Sequence, residues 1–299
     1  MTTRILDGAP VAARIKEVVL ADITAYTQKY VGLRPPCLVI ISVGNDPASL
    51  SYITGKMRNC REVGIECRIV SMRSDSTFGD IATTITQHNL DASVDGIILQ
   101  LPIDGPANGR AEELCNFIKP DKDVDCLTDV NMGKLMKHGG YGMHMQPCTP
   151  SGIMELLAYY GIDLDGKKVM IINRSNLVGK PLAALMTAQN ACVTVAHSHC
   201  SAAMLIAGCR AADIIVTAVG QPGFLTSDML SPCNVKTGTI VIDVGISPNP
   251  HGSGIVGDVS TYCSEYCAAY TPVPGGVGLV TRAMLMSNVV EAWKSHVDK

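Results

Sequence analysis

In KVMIINRSNLVGKP, Lys168 to Pro181, an apolar run of strand length enters a polar turn and leaves it in a helix-like segment. The same unit recurs along the chain, which is how alternating strands and helices of a mainly parallel sheet read in sequence. Before it lie CLVIISV (Cys37 to Val43), CRIV (Cys67 to Val70) and GIILQL (Gly96 to Leu101), with helical stretches around Tyr52 to Val63 and Phe78 to Asn89. After it come CVTVA (Cys192 to Ala196), DIIVTAV (Asp213 to Val219) and TIVIDVG (Thr239 to Gly245). The fold class is therefore α/β, with two sheet systems. Between them, GGYGMHMQPCTPSG from Gly139 to Gly152 is expected to carry the crossover, since residues before a proline avoid helix. The last stretch, Thr281 to His296, sets Met284, Leu285, Asn288, Val289 and Trp293 at helical spacing, and spacing alone leaves open which lobe it covers.

At 299 residues the chain is long for one core, so two compact domains are expected. Apolar residues at 47% and charged residues at 17% give a globular balance with ample material to bury. A net charge of −3 without a Lys/Arg block sets nucleic acid aside as a partner. No segment has the length and apolarity of a membrane span, and MTTRILDGAPVAARIKEVV has no apolar signal core. The expected location is cytoplasmic, or mitochondrial if a presequence has been removed. The 12 cysteines form no paired CxxC framework and read as reduced thiols without disulfides.

A strand that turns tightly into a helix puts free backbone N–H groups and the positive helix end where a pyrophosphate can sit. NRSNLVGKP keeps only Gly179 of the usual glycine fingerprint, so an ordinary βα turn fits it equally well. The next strand, CVTVA, ends in His197 and Ser198 rather than in the Asp or Glu that bonds the ribose hydroxyls in NAD sites. With no acid there to repel a ribose phosphate, and with Arg174 and Ser198 to attract one, NADP is preferred to NAD. His197, His199 and Cys200 lie too close together and lack a distant partner pair, so no metal is expected.

In the first lobe Tyr52 and Lys56 stand four residues apart after the turn Gly44-Asn45-Asp46-Pro47, so both project from one helical face. On spacing alone, a solvated lysine beside a partly buried tyrosine is the favoured explanation. Gln100 ends an apolar strand, and ligands of open α/β sheets bind at the carboxyl ends of strands. In Lys122-Asp123-Val124-Asp125, an Asp of the loop is placed to pair with an amide and amino group of a planar heterocycle, or to make an Asx turn.

Together SYITGK, DGIILQLPI, PDKDVDCL, QPCTPSGI, NRSNLVGKP, TAVGQPG, VIDVGI, GDV and TPVPGGVGLVTRAML resemble, in order, the bifunctional methylenetetrahydrofolate dehydrogenase/cyclohydrolases. The resemblance implies a folate-binding catalytic lobe from residues 1–149 plus the C-terminal helix 281–299, a Rossmann-like NADP lobe from 150–280, and a cleft between them. It implies NADP-dependent oxidation of methylenetetrahydrofolate to the methenyl form, then hydrolysis to formyltetrahydrofolate. By the same resemblance Lys56 is the catalytic amine, Tyr52 lies against the folate, Gln100 orients Lys56, and Asp125 holds the pterin. Leu101, Pro272, Gly275 and Gly276 join the substrate side, the last three in a loop closing over it. Arg174, Ser175, Val178, Ser198, Gly220 and Ile246 match cofactor contacts. Partners implied are folates, including polyglutamylated ones, and a second copy of the chain in a homodimer. Hydrolysis near neutral pH requires that burial and Gln100 keep part of the Lys56 amine uncharged. Departures from the family pattern are Asn173 and Cys126, where Gly is usual, and Leu279, where Pro is frequent. A dehydrogenase without hydrolase activity, a silent folate or nucleotide-binding module, and a carbonyl-directed NADP dehydrogenase are the rival readings; the intact Tyr52, Lys56 and Gln100 set favours two activities.

Overall fold

A computed structural model describes residues 3–230, 235–236, 238–260 and 266–298. The chain divides into two compact units. The first comprises Ala13–Lys134, Gly142–Cys148 and residues from Arg282 on. Its sheet has the order β3 (Glu66–Met72), β2 (Cys37–Val43), β4 (Gly96–Leu99), all parallel. Every residue of β2 is buried, as a continuous apolar run flanked on both edges demands, whereas β3 is only half-buried. One face of this sheet packs on Ile81, Ile85, Leu114 and Ile118. The other packs on Val19, Ile23 and Trp293, the last wholly buried.

The second unit holds the described residues within Met1–Ala12, Leu135–Tyr141 and Thr149–Thr281. Its parallel sheet runs β1 (Arg4–Ile5), β11 (Ala269–Tyr270), β8 (Ile240–Asp243), β7 (Ile214–Thr217), β5 (Lys168–Ile172), β6 (Cys192–Ala196). The described N-terminal residues thus group with the second unit, apart from most of the 1–149 stretch that the resemblance assigns to one lobe. Arg4 and Ile5 complete a sheet edge beside β11, and the Gly8 amide donates to Gly275 O at 2.8 Å. Residues 135–141 make the same move, with Gly139 closed against Ala188, where a Cβ would lie 2.4 Å from the alanine methyl.

The last helix, α10 (Val277–Val297), starts four residues earlier than the spacing suggests. Its part from Arg282 onward belongs to the first unit, which answers what the spacing left open. The isolated strands β9 (Ser247–Pro248) and β10 (Ile255–Val256) form a short antiparallel hairpin. The described cysteines carry free thiols; Cys233 and Cys263 lie outside the described residues. No described helix is long and apolar enough to cross a membrane.

Candidate active site

Lys56 is placed by a turn that only glycine allows. At the end of β2, Gly44 takes φ +87°, and a Cβ there would lie 1.9 Å from Asp104 Oδ2, which also accepts the Asn45 amide at 3.0 Å. The chain then enters α2 (Pro47–Val63), where the Asp46 carboxylate accepts the Ser49 N–H at 2.7 Å and Gly64 closes the other end at φ +79°. On this helix the Lys56 ammonium donates to Gln100 Oε1 at 3.0 Å. Gln100, 8% exposed just past β4, donates through Nε2 to Leu101 O at 2.7 Å. That second bond fixes which end of the amide faces Lys56, so the amine meets an acceptor. Tyr52, one turn earlier, is 38% exposed; burial of the rest pushes its hydroxyl above its usual pKa, and the nearby Arg282 pulls the other way.

Asp125 reaches the same unit through a loop stitched to β4. The Ile97 amide donates to Lys122 O at 2.8 Å, and buried Asp123 accepts from the Leu127 and Thr128 amides and from Asn131 Nδ2. Asp125 is half-buried, and the Cys148 thiol lies 3.4 Å from its Oδ1. Full burial holds that thiol well above its usual range; Asp125 pushes the same way, and the Lys56 charge opposes it. Cys148 therefore lies within the electrostatic reach of both expected site residues, although in the sequence QPCTPSG stood out only as a crossover and as part of a family motif, with no role for the cysteine. Asn288 of α10 ties the loops together, donating to Val124 O at 2.8 Å and Gln146 O at 2.7 Å. Cys126 takes φ +57°, the left-handed angle that a glycine adopts without strain.

The glycines expected on the substrate side, Gly275 and Gly276, lie in the second unit. Gly275 takes φ +114°, and the Gly276 amide donates to Pro272 O at 2.8 Å. A Cβ on Gly276 would fall 2.6 Å from that carbonyl, so the turn of Pro272, Gly275 and Gly276 tolerates no larger residue there. Leu279 uses the N–H that a proline lacks, donating to Gly276 O at 3.2 Å.

At the carboxyl ends of β5 and β6 a cavity of about 550 Å³ is lined by Asn173, Arg174, Ser175, His197 and Ser198, with Gln221 on the side of β7. Arg174 is exposed and has no carboxylate partner among the described residues. Ser198 is exposed too, and no acid stands at the end of β6. Val178, Gly220 and Ile246 lie outside this lining. Val178 caps α7 (Gly179–Ala188), donating its amide to Ser175 Oγ at 3.1 Å. Gly220 belongs to a turn held by Asp258, and Ile246 is 38% exposed.

Asp258, wholly buried, accepts the Val219 amide and the Thr217 hydroxyl on Oδ2, and the Gly220 and Gln221 amides on Oδ1. Asp243 does the same for the Gly245, Asp258 and Val259 amides. Burial outweighs those bonds and pushes the Asp243 carboxyl up to about 6. Each carboxylate sits against a glycine: a Cβ on Gly245 would lie 2.1 Å from Asp258 Oδ1, and one on Gly257 2.0 Å from Asp243 Oδ2. Beyond the motifs VIDVGI and GDV, neither role is visible in the residues themselves. His197, His199 and Cys200 assemble no metal site; the His197 Nδ1 accepts the His199 amide at 3.3 Å, and no metal-holding cluster occurs among the described residues.

An amine bonded to a glutamine at a strand end in one unit, and a cavity lined by Arg174 and Ser198 at the strand ends of a second, fit a two-unit α/β enzyme of the dinucleotide-binding class. The tetrahydrofolate dehydrogenase/cyclohydrolase catalytic domain matches residues 6–125, and the NAD(P)-binding domain of the same family matches 147–297. The chain belongs to the tetrahydrofolate dehydrogenase/cyclohydrolase family. It is 41% identical over 293 residues to the bifunctional protein FolD of Ruminiclostridium cellulolyticum, covering 98% of each chain. To that of Caldicellulosiruptor saccharolyticus it is 43% identical, covering 94% of this chain and 97% of the relative. Among solved structures it resembles the bifunctional FolD of Campylobacter jejuni, with TM-score 0.89, 37% identity and coverage of 98% and 99%. The Trypanosoma brucei enzyme complexed with NADP cofactor and inhibitor gives TM-score 0.91, 32% identity and 99% coverage of both chains.

Proposed function

We propose that the chain carries out two consecutive reactions on folate: NADP-dependent oxidation of 5,10-methylenetetrahydrofolate to the methenyl form, then hydrolysis to 10-formyltetrahydrofolate. The observation that carries this is the Lys56 amine, bonded at 3.0 Å to a glutamine whose other end is itself anchored at 2.7 Å. Such an anchored pair holds a proton-transferring group in one place, which is what general acid–base hydrolysis needs.

NADP fits the second unit on its own chemistry: the exposed Arg174 guanidinium, with no carboxylate partner among the described residues, and the Ser198 hydroxyl line a cavity with no acid at the end of β6. When bound, that cofactor supplies the hydride acceptor for the methylene carbon. The remaining work falls to side chains. Asp125 is available as acceptor for the amide and amino hydrogens of the pterin, and Tyr52 offers a ring face on the same helix as Lys56. In hydrolysis, water oxygen bonds to the methenyl carbon, Lys56 Nζ transfers the water proton, and the bond from that carbon to one folate nitrogen breaks. One proton is released overall, and the formyl group stays on the other nitrogen. Gln100 keeps Nζ aimed throughout.

The finer reading includes polyglutamylated folates as substrates, a homodimer and a cytoplasmic location; its support is the resemblance to the bacterial relatives. The deciding experiment mixes purified protein with methylenetetrahydrofolate and either NADP or NAD, following reduced cofactor and methenyl absorbance together. Reduction with NADP plus decay of the methenyl species is expected. Reduction with persistent methenyl product would leave a dehydrogenase alone, and no reduction would leave a binding module.

A further inference from the structure

The turn after β5 carries an asparagine whose side chain is the hub of a small hydrogen-bond cluster. Asn173 Oδ1 accepts the Ser175 amide at 2.8 Å, the Ser175 hydroxyl at 2.7 Å and the Gly179 amide at 2.9 Å. Its Nδ2 donates to Ala218 O at 2.5 Å. Two N–H groups on one side and a carbonyl on the other leave no freedom to exchange the amide ends. Gly179 must be glycine here, because a Cβ would lie 2.1 Å from Asn173 O.

The consequence concerns Ser175. Its hydroxyl has one hydrogen, committed to Asn173 Oδ1, and one of its lone pairs accepts the Val178 amide at 3.1 Å. Its amide hydrogen is committed to the same Oδ1. What Ser175 still offers the cavity is a lone pair, which an anionic phosphate oxygen cannot use. Arg174 and Ser198, lining the same cavity, are under no such commitment.

We infer that Asn173 is a positioning residue that sets cofactor discrimination: by holding both hydrogens of Ser175 it removes that serine from phosphate recognition and leaves the ribose phosphate to Arg174 and Ser198. This rests on the assignment of the cavity to NADP. Ser175 becomes part of the scaffold of the turn, and vacating the Oδ1 position returns it to the site.

The test is a double-mutant cycle read as the ratio of NAD to NADP dissociation constants, measured by titration on the same preparation so that any unfolded fraction cancels. Ser175→Ala alone should change the ratio less than about twofold, the size of a hydrogen bond that contributes nothing net. Asn173→Ala, or Asn173→Gly should the alanine variant fail to fold, should raise NADP preference about threefold or more, and adding Ser175→Ala should cancel the gain. Equal gains for NAD and NADP would place the released donors on the diphosphate rather than on the ribose phosphate and would overturn the inference as stated. So would a loss of preference in Ser175→Ala comparable to that in Ser198→Ala. Arg174→Ala and Ser198→Ala serve as controls, each expected to lower the preference about tenfold or more, the range of a charge-assisted bond. If neither does, the cavity is not the ribose-phosphate site, and that failure is distinguishable from a failure at positions 173 and 175.

Discussion

Replacing Asp258 by Asn changes one atom in a buried carboxylate and should loosen the turn beside the dinucleotide cavity. The carboxylate accepts four hydrogens, two on each oxygen, and is wholly buried. An asparagine keeps one oxygen. With its NH2 toward Gly220 and Gln221 it strands two backbone amides; turned the other way it strands only the Val219 amide, because the Thr217 hydroxyl can rotate to accept. The second orientation is the cheaper, and it costs one charge-assisted bond plus a buried donor left without acceptor, about 2–4 kcal/mol. Urea unfolding of both proteins measures this directly, with an unchanged slope showing that the loss lies in the native state. Because Val219 and Gln221 both line the cavity, NADP titration of the folded variant should also show weaker binding. Stability within about 0.5 kcal/mol of the parent, the scatter of neutral surface changes, together with unaltered NADP affinity, would refute the assigned role of Asp258.

Two further outcomes follow from the same geometry. Gln100→Leu removes the acceptor of the Lys56 amine at nearly constant volume; methenyltetrahydrofolate hydrolysis should fall about tenfold or more while NADP affinity, measured by titration, stays put. For Asp243, a folded pKa of about 6 against the ordinary 3.8 means that the folded protein binds more protons than the unfolded chain between those values. Its contribution therefore favours folding at acid pH and is lost as pH rises from about 4 to 6, with an upper bound of about 3 kcal/mol. The stability difference between parent and Asp243→Asn, followed by denaturation across that window, should decline with rising pH; a flat difference would contradict the assigned burial.

Much of this architecture is legible in the residues because the central strands are buried on both faces. CLVIISV and KVMII coincide with β2 and β5, since parallel strands read as unbroken apolar runs. The two-residue strands β1 and β11 are too short to carry a period, and their pairing joins residues at opposite ends of the chain. The placement of the candidate residues is legible where it follows local position: Lys56 on a helix one turn from Tyr52, Gln100 at a strand end, Arg174 in a βα turn. It is not where a buried polar group serves distant backbone. Asn288 acts on carbonyls 142 and 164 residues away, and Asp258 on amides 37 to 39 residues away, and no spacing rule reaches so far. Asn173 stood out as a departure from the family glycine, but its three converging donors appear only once the turn is folded.

The proposed function stands or falls with Lys56 as the group that moves the proton in hydrolysis. Lys56→Met keeps the length of the side chain and removes the amine, so the most direct measurement is the rate at which that variant consumes pure methenyltetrahydrofolate, beside its affinity for the same compound. A rate at least about a hundredfold below the parent, with binding retained, is expected for loss of a general acid–base group. Hydrolysis at the parent rate would contradict the account.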